Sequence, residues 1–228
     1  MSIQANLQDI RDRMAAACKR AGRNPDTVRL VAVSKTKPAA MIDQAAAAGQ
    51  TLFGENYVQE FVAKTEEVTA PVTWHFIGSL QTNKVKYLAG KVAMIHSVDR
   101  LSLAKEIDRQ WSKLDSPVDI LIQVNLGEEE TKSGTDEAAL QDLVRQVAAL
   151  PYLRIRGLMA LPPYLDDPEQ VRPFFRRLRQ LADGIAALKL PGVEMRELSM
   201  GMSHDFEAAI EEGASLVRVG SAIFGSRY

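Results

Sequence analysis

At 228 residues, with 46% hydrophobic and 25% charged side chains and a net charge of -1, the chain has the balance of one globular domain spanning 1–228. A charge so near zero excludes the large positive field of a general nucleic-acid binder, and no apolar run reaches the roughly 18 residues of a membrane span. The one cysteine excludes an intrachain disulfide, and MSIQANLQDIRDR lacks the basic-then-apolar order of a signal peptide, so a cytoplasmic chain is expected.

Ile3, Leu7, Ile10, Met14 and Cys18 recur at helical spacing, which predicts an N-terminal amphipathic helix ended by Gly22 and Pro25. Cys18 lies on its apolar stripe and reads as an inert buried thiol. Strand-like runs then alternate with helical patterns. They are RLVAVS (29–34), TLFGE (51–55), TWHFIG (73–78), AMIHSV (93–98), VDILIQVN (118–125), RIRGLMAL (154–161), MRELSM (195–200) and SLVRVG (215–220). Several are apolar without alternation, as strands covered on both faces of a parallel sheet are.

Pro38 suits the first position of a helix that closes at Gly49. Thr135 reads as the cap of a helix with the stripe Leu140, Leu143, Val144, Val147 and Leu150. Another stripe runs from Val171 to Leu188, and Pro173 either starts that helix or kinks it. Its arginines at 172, 176, 177 and 179 read as a solvated face rather than a phosphate patch. Eight strand–helix units predict a (β/α)8 TIM barrel with an extra N-terminal helix, a doubly wound open sheet being the alternative.

In such a barrel, chemistry belongs where strands end. Strand alternation puts Val31, Val33 and Lys35 on one face. If that face is the interior, Lys35 is partly desolvated, which favours the nucleophilic amine a Schiff base needs; an ordinary surface lysine is the other reading. After the last strand comes GSAIFG. The backbone N–H groups of Gly220, Ser221 and Ala222 can point at an anion, and SMGMS adds Ser199, Gly201 and Ser203 from the neighbouring strand end; a plain glycine turn is the alternative. Arg218 stands in an otherwise apolar strand and needs an acceptor, either a structural carboxylate or a ligand atom. His75 and His96 read as hydrogen-bonded core or rim histidines. No spacing resembles a zinc site. Glu128 to Glu130 read as a solvated loop, and Lys132 follows them at a strand end. A carbonyl-trapping lysine, an anion cradle and a buried arginine together suggest pyridoxal 5′-phosphate (PLP) as the cofactor.

The stretches LVAVSKTKP, FGENYVQE, WHFIGSLQTNK, IHSVDR, QVNLGEEETKSG, GLMALPP and LSMGMSHDFEAAIEEGASLVRVGSAIFG carry a resemblance over essentially the full length. The chain resembles the PLP homeostasis proteins of the YggS/PROSC type. The resemblance implies a barrel of the alanine racemase N-terminal type with PLP at its mouth. It places a Schiff base on Lys35, phosphate contacts on the SMGMS loop (Ser199 or Ser203, with Gly201) and on Gly220 and Ser221, Arg218 opposite the pyridine nitrogen, and Asn56 near the ring. It implies a carrier that stores or delivers PLP within the cell, with PLP-dependent apoenzymes as possible recipients and no substrate turnover. Ser221 departs from the common threonine, and His204 from a small or acidic residue. With Tyr228 soon after the last strand, no second domain of the racemase kind is expected, and a monomer is expected. The competing reading is a weak amino-acid racemase or lyase, with Tyr57, His75 or Lys132 as a second acid–base group. A PLP-free aldolase or sugar-phosphate barrel is a third.

Overall fold

A computed structural model describes residues 2–127 and 133–225. Glu128 to Glu130 and Lys132 lie outside the described residues. The first element is helix α1 (Ile3–Arg20), capped by the Ser2 side chain, which accepts from the Ala5 N–H. Its stripe of Leu7, Ile10, Met14 and Cys18 is buried, and Gly22 ends the turn at φ +64°. Burial pushes the Cys18 thiol up, which keeps it protonated and inert.

Eight parallel strands follow, β1 (Arg29–Val33), β2 (Leu52–Glu55), β3 (Thr73–Phe76), β4 (Met94–Val98), β5 (Val118–Val124), β6 (Leu153–Ala160), β7 (Val193–Ser199) and β8 (Leu216–Val219). They pair in sequence order, and β8 closes on β1 with Val31 opposite Arg218. The open doubly wound sheet is thereby excluded. All eight expected strands are present, with ends shifted by one or two residues.

The crossovers are α2 (Ala39–Ala47), α3 (Val58–Glu67), α4 (Leu101–Ser112), α5 (Glu137–Ala148), α6 (Arg172–Ala187) and α7 (Phe206–Glu211), with a short α8 (Ser221–Phe224) after β8. Between β3 and β4 the crossover is a 3-10 helix, Thr82–Tyr87, rather than an α-helix. α1 packs outside the ring against α2, α7 and α8. Asn6 donates to the Ile223 carbonyl at 2.8 Å, and Arg13 pairs with Glu207.

Three local expectations shift. Pro38 is the N-cap of α2, not its first residue, because its ψ of 156° is extended. Asp136, not Thr135, caps α5: its carboxylate accepts from the Ala139 N–H, while Thr135 pairs beside Val124. Pro173 sits in the first turn of α6, where a missing N–H costs nothing, so it starts the helix without a kink. The α6 arginines are committed to carboxylates: Arg172 to Glu169 and Glu211, Arg176 and Arg179 to Glu212, Arg177 to Glu137.

One layer of the barrel interior is apolar, made of Val31, Leu52, Met94, Leu121, Met159 and Leu216. Two residues further along several of these strands the interior turns polar, with His96, Gln123 and Arg218 all buried. That polar layer is the floor of the site. Among the described residues no helix is long and apolar enough to cross a membrane.

Candidate cofactor site

A cavity of about 340 Å³ opens at the C-terminal ends of the strands. Lys35 lies in its wall, two residues beyond Val33 on the interior face of β1, and is half-buried. The turn that carries it is tight: the Lys37 N–H donates to the Ser34 carbonyl at 3.0 Å, and Thr36 takes φ +63°. Lys37 also lines the cavity.

The adjoining wall comes from the ends of β7 and β8, beside β1. Ser203, Gly220 and Ser221 line the cavity. The Gly220 and Ala222 N–H groups both donate to Ser203 Oγ, at 3.3 and 3.5 Å, so one oxygen is held loosely by two amides. These lengths exceed the ordinary range, and an anionic oxygen at the same place would draw them in. Gly220 packs closely there: a Cβ would lie 3.0 Å from the carbonyl oxygen of Val33, at the C-terminal end of the neighbouring β1. Asp205 shapes the loop from behind. Its carboxylate accepts from the Met202 N–H at 2.6 Å.

Two expected phosphate residues lie elsewhere. Ser199 is fully buried and faces the barrel interior, not the cavity. Gly201 is buried too, at φ +88°, with a virtual Cβ 2.5 Å from Ala209 Cβ; it lets the loop turn against α7. Spacing alone could not separate Ser199, the last residue of β7, from Ser203 in the loop that follows.

Arg218 is 3% exposed and lines the cavity from its floor. Among the described residues no carboxylate pairs with it. Nη1 donates to Ser199 Oγ at 2.6 Å and Nη2 to the Ala160 carbonyl at 2.9 Å. The structural carboxylate that a buried arginine suggests is thus replaced by a hydroxyl and a carbonyl. Burial pulls Arg218 down to about 10, with Asp205 opposing at a distance, so the group stays cationic at neutral pH.

Behind Ser199 stands a second pair. His96 Nδ1 lies 2.9 Å from Ser199 Oγ, and His75 Nδ1 lies 2.9 Å from His96 Nε2. Burial drives His75 down to about 3 and His96 well below its usual value, so both imidazoles are neutral. A guanidinium only donates, so the run that uses every group goes from Arg218 to the Ser199 oxygen, from the Ser199 O–H to His96 Nδ1, and from His96 Nε2–H to His75 Nδ1. The sequence marked both histidines as hydrogen-bonded core, but nothing local links positions 75, 96 and 199.

Asn56 lines the cavity, and its Oδ1 is buried with no hydrogen-bond partner. Gly78 holds the Asn56 backbone from β3, since a Cβ there would sit 2.0 Å from the Asn56 carbonyl oxygen. A Gly78→Ala variant is expected to lose about 2–3 kcal/mol of stability in urea unfolding, because backbone must move. Of the other candidates, Tyr57 is 52% exposed and does not line the cavity, and His75 lies beneath its floor. His204 reaches the rim, stacked at 5.2 Å on Tyr164 and hydrogen-bonded to the Asp166 carbonyl.

A closed parallel barrel with a lysine after its first strand and an arginine on its last is a protein of the alanine racemase N-terminal class, and that family matches residues 5–228. A pyridoxal phosphate homeostasis protein of Aquifex aeolicus is 47% identical over 228 residues, 100% of this chain and 99% of that protein. A solved structure of an unknown protein from Bifidobacterium adolescentis superposes with a TM-score of 0.92 at 37% identity, over 97% of this chain and 94% of the other. PipY of Synechococcus elongatus PCC7942, solved with PLP bound, gives 0.83 at 38% identity, over 95% of this chain and 100% of PipY. The chain belongs to the family of pyridoxal phosphate homeostasis proteins.

Proposed function

We propose that this protein binds PLP at the barrel mouth and serves intracellular vitamin B6 homeostasis, storing or delivering the cofactor without turning over a substrate. The observation that carries this reading is the charge of the cavity. Its ionisable side chains include Lys35, Lys37, His204 and Arg218, and among the described residues no carboxylate lines it. Such a lining favours a small anion.

The groups present fit PLP part by part. Its aldehyde suits the Lys35 amine, and its phosphate the Gly220, Ser221 and Ala222 amides with the Ser203 hydroxyl. The ring nitrogen accepts, which suits Arg218. The ring hydroxyl donates, which suits the unpartnered Asn56 Oδ1. Lys35 would supply the amine that holds the aldehyde as an imine, the carbonyl oxygen leaving as water with the two amine protons. When bound, PLP supplies an electron sink, and that sink is weak while its ring nitrogen stays unprotonated. Arg218 donates and does not deprotonate at neutral pH, so it holds that nitrogen as an acceptor. This supports a carrier over a racemase.

The test is transfer. Holoprotein is mixed with a PLP-requiring apoenzyme in the presence of a trap for free PLP. Activation that outruns release into the trap is expected. In parallel, holoprotein is incubated with amino acids in deuterated water. Exchange at Cα with turnover would replace the carrier by the enzyme reading.

A further inference from the structure

Lys64, on α3, is 4% exposed, a depth lysine rarely reaches unless paired. Its Nζ donates to three oxygens: the Ser34 carbonyl at 2.6 Å, Glu55 Oε1 at 2.7 Å and Glu60 Oε1 at 2.6 Å. Glu55 Oε1 also accepts from Ser34 Oγ at 2.6 Å, and Glu60 Oε1 accepts from the Thr36 N–H. These bonds fall on the residue before Lys35 and on the residue after it. Thr36 is held at φ +63°, a conformation that β-branched residues adopt only when their surroundings impose it.

A buried triad of this kind is a poor device for stability. Desolvating three charges consumes most of their attraction, and apolar side chains of similar volume commonly do as well or better. Glu55 makes the point, since its second oxygen is buried with no partner. What the triad supplies is direction: short, charge-assisted bonds to fixed points on one turn.

We infer that Glu55, Lys64 and Glu60 are positioning residues that fix the backbone on both sides of Lys35, so that its amine meets a ligand carbonyl at the cavity mouth. The inference rests on the PLP reading above and adds the residues that set the approach of Lys35. Nothing in FGENYVQE alone marks Glu55 as the partner of a lysine nine positions on.

Glu60 has a side chain 23% exposed, so its replacement leaves the buried Glu55–Lys64 pair in place. Wild type, Glu60→Ala and Glu60→Gln are mixed with PLP and quenched with borohydride at timed intervals. The adduct at Lys35 is counted by peptide mass. Pyridoxamine phosphate, which has no aldehyde, is titrated in parallel, and thermal midpoints are recorded. Glu60→Ala is expected to form the adduct about tenfold or more slowly, as misplacement of a reacting group predicts. Glu60→Gln should fall between, because its amide oxygen still accepts from Thr36. Pyridoxamine phosphate should bind all three alike. Equal adduct rates in the three proteins overturn the inference and leave the PLP reading intact. So does slowing matched by an equal loss of pyridoxamine phosphate affinity, which marks general damage to the cavity. A wild type that forms no adduct at Lys35 overturns both.

Discussion

Lys35→Ala is expected to fold normally and to give no borohydride-stable PLP adduct at position 35. The residue lies in a turn held by its neighbours, and the barrel core does not involve it, so its loss should leave the melting curve of the empty protein unchanged. The Gly220 and Ala222 amides and Arg218 remain, so PLP should still bind, more weakly. A fall of about 100-fold in apparent affinity corresponds to about 3 kcal/mol for the lost bond and its water-releasing equilibrium. Equilibrium dialysis measures the affinity, and peptide mapping after reduction locates any adduct. An adduct moved to Lys37, which lines the same cavity, would show that a neighbouring amine can substitute. An undiminished adduct yield with normal B6 balance in cells would remove Lys35 from the function.

Acid should unfold the protein through its barrel floor. His75 falls from an ordinary 6.5 to about 3 in the folded state, and His96 shifts in the same direction. Below pH 6.5 the unfolded chain takes up protons that the folded chain refuses, so stability falls with pH and goes on falling toward pH 3. Each imidazole costs up to about 1.4 kcal/mol per pH unit in that window, or about 2 kcal/mol between pH 7 and pH 5. Glu55 and Asp205 act oppositely, because burial raises both and their folded forms gain protons more readily as pH drops. A net loss of about 3 kcal/mol by pH 5 is a large share of the stability of an ordinary domain. Urea unfolding at the two pH values measures it. A His75→Gln/His96→Gln double variant should flatten the dependence, and an equal slope in both proteins would place the acid sensitivity elsewhere.

The barrel was legible because parallel strands buried on both faces write themselves as apolar runs, and eight such runs separated by helical stripes leave few closures. Lys35 was legible for the same reason: period-two alternation from Val31 and Val33 carries it to the interior face. Alternation also brought Arg218 inside, but not what it touches. Its partners Ser199 and Ala160 are 19 and 58 positions away, and contacts of that range leave no local pattern. Ser199 ends β7 and Ser203 lies beyond the turn at Gly201, and which of the two reaches the cavity depends on how that turn packs on α7. The shift from Thr135 to Asp136 as cap was a contest between two good cap residues, settled when Thr135 was drawn into pairing beside β5. The Lys64 clamp was missed entirely, because a lysine in a helix rich in charge reads as solvent-facing.

Among the described residues Arg218 has no carboxylate in direct contact, Asp205 acting only from a distance, and this has a thermodynamic consequence. A buried cation so placed leaves the folded state short of nearby negative charge, and an anion that enters the cavity supplies it. Whatever binds only the folded form raises its unfolding free energy, by about 2.7 kcal/mol when present at a hundred times its dissociation constant. Retention of the bound anion and resistance to unfolding are then one quantity measured twice. A population emptied of its anion would open more often and meet proteases sooner, so the abundance of the protein would follow the supply of that anion.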